Sequence, residues 1–233
     1  HESSFRDPSG FIFSEGDRLL RQVNECYQAE YRHLMDSGLY QRLTGEGLLV
    51  PHREVEGHAG TTGDAFLVIE PERIPFISYP YEWSFNQLKD AALVTLRIQQ
   101  AALECGMTLK DASAYNIQFF KGRPVFIDTL SFDLYHEGKP WEAYRQYCQH
   151  FLAPLALMSH TDIRLNQLLK IYLDGIPLDL ASRLLPRKTK WNFALLMHLH
   201  LHAKTQVKYE HKGSAGREVK IPLANLKALI GSL

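Results

Sequence analysis

Asp111 and Asn116, five residues apart in Lys110-Asp111-Ala112-Ser113-Ala114-Tyr115-Asn116, are followed by an apolar run that delivers a second carboxylate, Asp128. Phosphoryl transfer from a metal-bound nucleotide calls for such a layout. The protein's contribution to that reaction is positioning and neutralisation of charge, so few groups take part covalently. Asp111 can accept a proton from a substrate hydroxyl, while Asn116 and Asp128 offer the hard oxygen ligands that suit Mg2+ beside the phosphates of ATP. The competing role for each is local, a polar loop side chain bonding nearby backbone groups.

Three elements must position these groups. Ile117-Gln118-Phe119-Phe120, the turn Lys121-Gly122-Arg123 and Pro124-Val125-Phe126-Ile127 read as a hairpin between Asn116 and Asp128. Ahead of the loop, Ser84 is the expected N-cap of an amphipathic helix carrying Leu88, Ala91, Ala92, Thr95, Leu96, Ile98, Gln99 and Leu103 and ending at Gly106. Further upstream, residues 10–24 alternate around Ser14-Glu15-Gly16-Asp17 as a hairpin, and Gln28 to Thr44 reads as one helix. Phe66–Ile69 and Phe76–Ser78 flank Pro71-Glu72-Arg73 as a second hairpin, and Gly57 to Gly63 forms a loop that either covers phosphates or simply connects strands.

The expected fold class is therefore α+β. Residues 1–81 form a small antiparallel sheet with one helix, joined near Tyr79-Pro80-Tyr81 to a helical part, residues 82–204, that carries Asp111, Asn116 and Asp128. Residues 205–233 read as a polar linker, Lys208 to Lys220, and an amphipathic tail from Leu223 to Leu233. That tail suits either a connection to a following domain or a docked terminal helix.

The stretch from Asp111 to Asp128 resembles the catalytic core of the protein-kinase-like superfamily, particularly the aminoglycoside and small-molecule phosphotransferase branch. The pattern there is H-x-D-x-x-x-x-N followed by an apolar strand ending in I-D. The resemblance implies a two-lobed kinase-like fold, a catalytic-base role for Asp111 and metal-ligand roles for Asn116 and Asp128. It also implies departures: Leu109 stands where the His belongs, and Thr129-Leu130 replaces the Phe-Gly pair. Asp7-Pro8-Ser9-Gly10-Phe11-Ile12-Phe13 is a short substitute for the glycine-rich loop. No Val-Ala-Ile-Lys strand is present, and Arg21 in Leu19-Leu20-Arg21-Gln22-Val23 takes the place of its Lys, with Glu30 as the partner on the following helix. Tyr79 and Tyr81, among Phe76, Trp83 and Phe85, either stack an adenine at the junction or pack between lobes. The short run from Asp128 to Trp141 leaves no room for a protein-kinase activation segment, which favours a small-molecule-kinase-like or degenerate member.

A second resemblance covers the whole chain. Phe5-Arg6-Asp7-Pro8-Ser9-Gly10, Asp36-Ser37-Gly38-Leu39-Tyr40, Pro75-Phe76-Ile77-Ser78-Tyr79-Pro80-Tyr81-Glu82-Trp83-Ser84 and Ser113-Ala114-Tyr115-Asn116-Ile117-Gln118-Phe119 look like the N-terminal half of bacterial proteins labelled class I SAM-dependent methyltransferases. The resemblance implies an accessory domain whose partner is a C-terminal methyltransferase domain beyond Leu233. No strand followed by a G-x-G loop occurs here, so no S-adenosylmethionine site is visible.

Composition bounds these readings. The 233 residues are 45% hydrophobic, enough for a substantial core without staples, and 26 basic residues balance 26 acidic ones. That balance gives no global attraction to nucleic acid or an anionic membrane. Arg183, Arg187, Lys188 and Lys190 form a local basic patch, read first as a solvated helix end. Cys26, Cys105 and Cys148 are sparse and unpatterned, as expected of reduced thiols in a cytoplasmic protein, and no apolar run is long enough for a membrane span. His1 in place of an initiator Met suggests a trimmed piece or a tag remnant. His198, His200 and His202 would share a face on a strand and offer a metal site; on the helix that their context favours, only His198 and His202 would. Three function classes follow: a degenerate nucleotide- or substrate-binding domain, an active Mg-ATP-dependent phosphotransferase on a hydroxyl, and a structural interaction domain.

Overall fold

The computed structural model describes residues 7–202 and 220–233. The chain is mixed α and β, with small antiparallel sheets. Strands β1 (Gly10–Glu15) and β2 (Arg18–Asn24) form the expected hairpin, with Gly16 in the left-handed region at φ 58° closing the turn. Strands β3 (His52–Glu54) and β4 (Ala65–Pro71) complete a four-stranded sheet in the order β1-β2-β4-β3. This corrects the second expected hairpin. β4 pairs with β2 and β3, whereas residues 76–78 join no strand. The polar stretch His-Arg-Glu of β3 carries no apolar alternation, so only its pairing with β4 makes it a strand.

The single helix expected over Gln28 to Thr44 is two: α1 (Gln28–Asp36) and α2 (Leu39–Gly45). Gly38 breaks them, with φ of 80°, a conformation that costs glycine nothing. The break turns Leu39 and Leu43 into the same core as Leu34.

Helix α3 (Phe85–Glu104) begins as expected at Ser84, whose hydroxyl accepts from the Gln87 amide at 3.3 Å while the Gln87 side chain returns to the Ser84 amide at 2.9 Å. This reciprocal cap satisfies two otherwise orphaned donors. Its buried stripe is the backbone of the largest apolar cluster, which takes in Leu34, Leu39, Leu49, Leu88, Ile98, Met107, Phe126 and Trp141. That cluster runs across residue 81 without interruption.

Strand β5 (Met107–Leu109) then pairs with β8 (Phe132–Leu134), and β6 (Ile117–Phe120) with β7 (Arg123–Phe126), the hairpin that the turn residues predict. The hairpin is fixed to the upstream part by two backbone bonds, Val50 N to Phe126 O and Phe126 N to Leu48 O, both 2.8 Å. Helix α4 (Tyr144–Tyr147) continues through a π-helical turn, Cys148–Leu152, into α5 (Ala153–His160). Short helices α6 (Leu168–Ile171), α7 (Leu178–Leu184) and α8 (Phe193–Leu195) follow, the last running into a π-helical segment, Leu196–Leu201. Helix α9 (Leu223–Gly231) buries Leu226 and Ile230 in the main cluster, so the amphipathic tail is docked. The expected linker lies outside the described residues except for Lys220. No helix among the described residues is long and apolar enough to cross a membrane.

Candidate functional site

Arg21 sits in β2 opposite Ile12 of β1 and Ile69 of β4. Strand alternation puts Leu19, Arg21 and Val23 on one face and Leu20, Gln22 and Asn24 on the other. Val23 packs with Tyr27, Tyr31, Ile69 and Leu130, and Leu130 belongs to the turn that follows Asp128. This packing brings sheet and hairpin together. Arg21 Nη1 donates to Asp128 Oδ1 at 2.5 Å, with only 9% and 19% of the two side chains exposed. The same oxygen accepts the Leu130 amide at 2.9 Å. Burial works to raise the Asp128 pKa, yet Arg21, with help from Leu130 and Ser131, holds it below the usual carboxylate value.

Asn116 closes a 3-10 turn, Ala114–Asn116, capped by the Ser113 hydroxyl on the Tyr115 amide. Its carbonyl accepts from Ile127 N at 2.8 Å and its Nδ2 donates to Ser131 Oγ at 3.3 Å. Ser131 also donates its backbone N–H to the Asp128 carbonyl at 3.3 Å. Asn116 and Asp128 therefore converge on one serine, and the structure brings these two expected ligands together.

Asp111 is half-buried, its Oδ1 accepting the Ser113 amide at 2.8 Å. Its loop is braced through backbone groups. Gln99 Oε1 accepts from Leu109 N at 2.7 Å, Trp141 Nε1 donates to Leu109 O at 2.8 Å, and Gln146 Oε1 accepts from Ala112 N at 2.7 Å. Leu109 is fully buried, packing hydrocarbon into the core while Gln99 and Trp141 hold its backbone. The sequence reading missed Gln146 and Trp141 in this capacity. A signal existed for Gln99 alone, a polar residue on the apolar stripe of α3.

The expected Arg21 to Glu30 pair does not form: among the described residues Arg21 bridges to Asp128 and Asp7, and Glu30 Oε2 is buried with no hydrogen-bond partner. The guanidinium points toward the hairpin, where Asp128 already stands in the right orientation. The Gly57–Gly63 loop lies on the opposite face, its Thr61 amide donating to Gln22 Oε1 at 2.8 Å, and so connects strands away from Arg21.

A cavity of about 520 Å³ opens beside β2, with aliphatic lining from Ile12, Leu19, Val50, Ile74, Ile77 and Ile127 and charged lining from Asp17, Arg18, Glu72 and Arg73. Ile12 is Arg21's cross-strand partner and Ile127 precedes Asp128, so two lining residues neighbour the charged pair, which does not itself line the cavity. Tyr79 and Tyr81 are not among its lining residues. They stack on each other, 5.5 Å apart and nearly parallel, with Tyr79 43% exposed. Trp83 is buried, bonded through Nε1 to Ser78 Oγ and packed edge-on against Phe119.

The histidine cluster is helical. His198 sits between the Tyr144 hydroxyl at 2.8 Å and Ser232 Oγ at 3.0 Å, and His200 between Ser182 Oγ at 2.8 Å and Thr189 Oγ1 at 2.9 Å. No group of three or more His, Cys, Asp or Glu among the described residues is arranged to hold a metal ion. The basic patch is partly paired, Arg183 donating to Asp179 at 2.6 Å. All three cysteines are free thiols, and burial pushes Cys148 up to about 12.

No family model matches the chain. It is similar to Nodulation protein NoeA of Rhizobium meliloti (strain 1021), with 37% identity over 227 residues. The match takes in 97% of this chain and 46% of the relative, so the chain spans less than half the length of the curated relative it matches.

Proposed function

We propose that this chain is a kinase-like, two-lobed and degenerate nucleotide- or substrate-binding domain, accessory to a SAM-dependent methyltransferase that lies outside it. The observation that carries the reading is the buried cluster of Arg21, Asp128 and Asn116, with a cavity of mixed aliphatic and charged lining reaching Ile12 and Ile127 next to it. A planar base fits walls of Ile, Leu and Val, and a guanidinium beside them suits a phosphate. The cavity is of ligand size.

Mg2+ fits the donor set in a limited way. Asp128 and Asn116 offer a carboxylate and an amide oxygen, but Asp128 Oδ1 is engaged by Arg21 and the Leu130 amide. Mg2+ commonly takes one or two carboxylates and completes its shell with water and phosphate oxygens, so these two residues would hold it only together with a nucleotide. Bound there, it would neutralise phosphate charge. Arg21 spends its charge on Asp128 and lacks the Glu30 partner, which favours binding over transfer.

An active phosphotransferase is the second reading, supported by the half-buried Asp111 on its braced loop. Asp111 would then take the proton of the acceptor hydroxyl. The accessory role draws on the relative, more than half of which lies outside the match and leaves room for a further domain in such a protein. Three free thiols suit a cytoplasmic setting.

The test is calorimetric titration of ATP, with and without Mg2+, into the chain and into Asp128→Asn. Asparagine keeps the acceptor for Leu130 while removing the charge. Metal-dependent binding weakened at least tenfold in the variant is expected. No binding to the parent chain would sink the nucleotide reading.

A further inference from the structure

The segment before β1 carries a carboxylate into the same charged cluster. Asp7 Oδ2 lies 4.0 Å from Arg21 Nη2, and Asp7 Oδ1 lies 3.9 Å from Lys110 Nζ. Both distances are too long for hydrogen bonds. The bond that Asp7 does make is within its own turn, Oδ1 accepting the Ser9 amide at 2.9 Å. Asp7 thus balances two cations without being tightly held by either.

The cations, in contrast, are firmly built in. Arg21 is 92% buried, and its Nε is a buried donor with no hydrogen-bond partner among the described residues. Lys110 follows β5, donates to the buried Ser9 hydroxyl at 2.6 Å and lies 4.6 Å above the Tyr27 ring. The turn that carries Asp7 is seated by Asn24 Nδ2 on Pro8 O at 2.9 Å. It presses so close to the sheet at Gly10 that any Cβ there would stand 2.0 Å from the Gln22 carbonyl oxygen.

Two cations, one with a spare buried donor, therefore face a carboxylate that, among the described residues, is hydrogen-bonded only within its own turn. We propose that Asp7 holds the place of a phosphate group between Arg21 and Lys110, and that a phosphate-bearing ligand displaces it. This rests on the reading of the neighbouring cavity as a ligand site, and adds that the ligand's anionic end lies between Arg21 and Lys110. A phosphate supplies several oxygens and more charge than one carboxylate, so it can reach both cations where Asp7 reaches neither at bonding distance. The carboxylate keeps the cluster electrically balanced while no ligand is bound, and sets a threshold that weak anions do not pass.

The measurement is calorimetric binding of inorganic pyrophosphate to the parent chain, Asp7→Asn, and Asp7→Asn combined with Lys110→Met. Asparagine still accepts the Ser9 amide, so the turn is retained; Asp7→Ser serves if the first variant fails to fold. Asp7→Asn is expected to bind pyrophosphate at least fivefold more tightly than the parent, and Lys110→Met to erase the gain. Equal or weaker binding by a folded Asp7 variant would overturn the proposal. Mg-ATP binding unchanged by Asp7→Asn would overturn it too, while leaving the nucleotide reading intact. A pyrophosphate gain with no ATP binding would do the reverse.

Discussion

Two buried polar regions of this molecule differ in what they have left over. Around His198 and His200, the four ring nitrogens are within bonding distance of Tyr144, Ser232, Ser182 and Thr189, and the partners are neutral hydroxyls. Around Arg21 and Asp128, full charges meet, and Arg21 Nε has no hydrogen-bond partner among the described residues. The first arrangement ties helices together by exchanging bonds with water for bonds within the protein. The second holds charges apart from water and keeps donor capacity in reserve, which costs stability unless a ligand uses it. Spare capacity beside a cavity separates a candidate site from a brace.

Breaking the charged pair is the sharpest way to separate the two regions. Arg21→Ala leaves Asp128 without its cation in a largely buried setting and is expected to destabilise the chain by about 3 kcal/mol in denaturant titration. A loss below about 1 kcal/mol would place the pair with ordinary surface bridges.

Acid probes a buried imidazole outside both regions, His150 on the π-helical turn Cys148–Leu152. Burial pushes His150 down from 6.5 to about 4, with Asp174 opposing, and its Nδ1 has no hydrogen-bond partner among the described residues. A depressed folded value means the stabilising contribution is complete above pH 6.5 and lost progressively as the pH falls toward 4. The loss from this group is on the order of 3 kcal/mol. Asp128, also lower in the folded chain than unfolded, adds its loss only as the pH falls below the ordinary carboxylate range. Thermal melts from pH 7 to 4 that show no decline would refute the His150 assignment.

The smallest effect expected is at Gln146. Its replacement by Ala strips the partner from the Ala112 amide and should cost about 1 kcal/mol, with faster amide exchange confined to the loop of Asp111. Exchange spread evenly over the chain would mean that Gln146 does not act on that loop.

Local chemistry was legible wherever the decisive partners were close in sequence. The hairpins at residues 10–24 and 117–126 follow from turn residues between apolar runs, and α3 from Ser84, Gln87 and a helical period. The types and spacing of Asp111, Asn116 and Asp128 were enough to place Asn116 and Asp128 in one cluster, because a single hairpin joins them. Helix 28–44 was read as unbroken because periodicity persists through Ser37-Gly38, while only the chain path shows Gly38 in the left-handed region.

What the sequence determined by itself, then, is a set of short-range elements and the spacing of the polar loop groups Asp111, Asn116 and Asp128. Tertiary structure alone decided that β4 pairs with β3, that Arg21 meets Asp128 across 107 residues, and that Asp7 stands near Lys110 across 103. The physical reason is range. Turns, caps and periodicity act over a few residues and leave marks in the local sequence, whereas pairing between distant segments depends on how the sheet and the hairpin pack through Val23, Ile69 and Leu130.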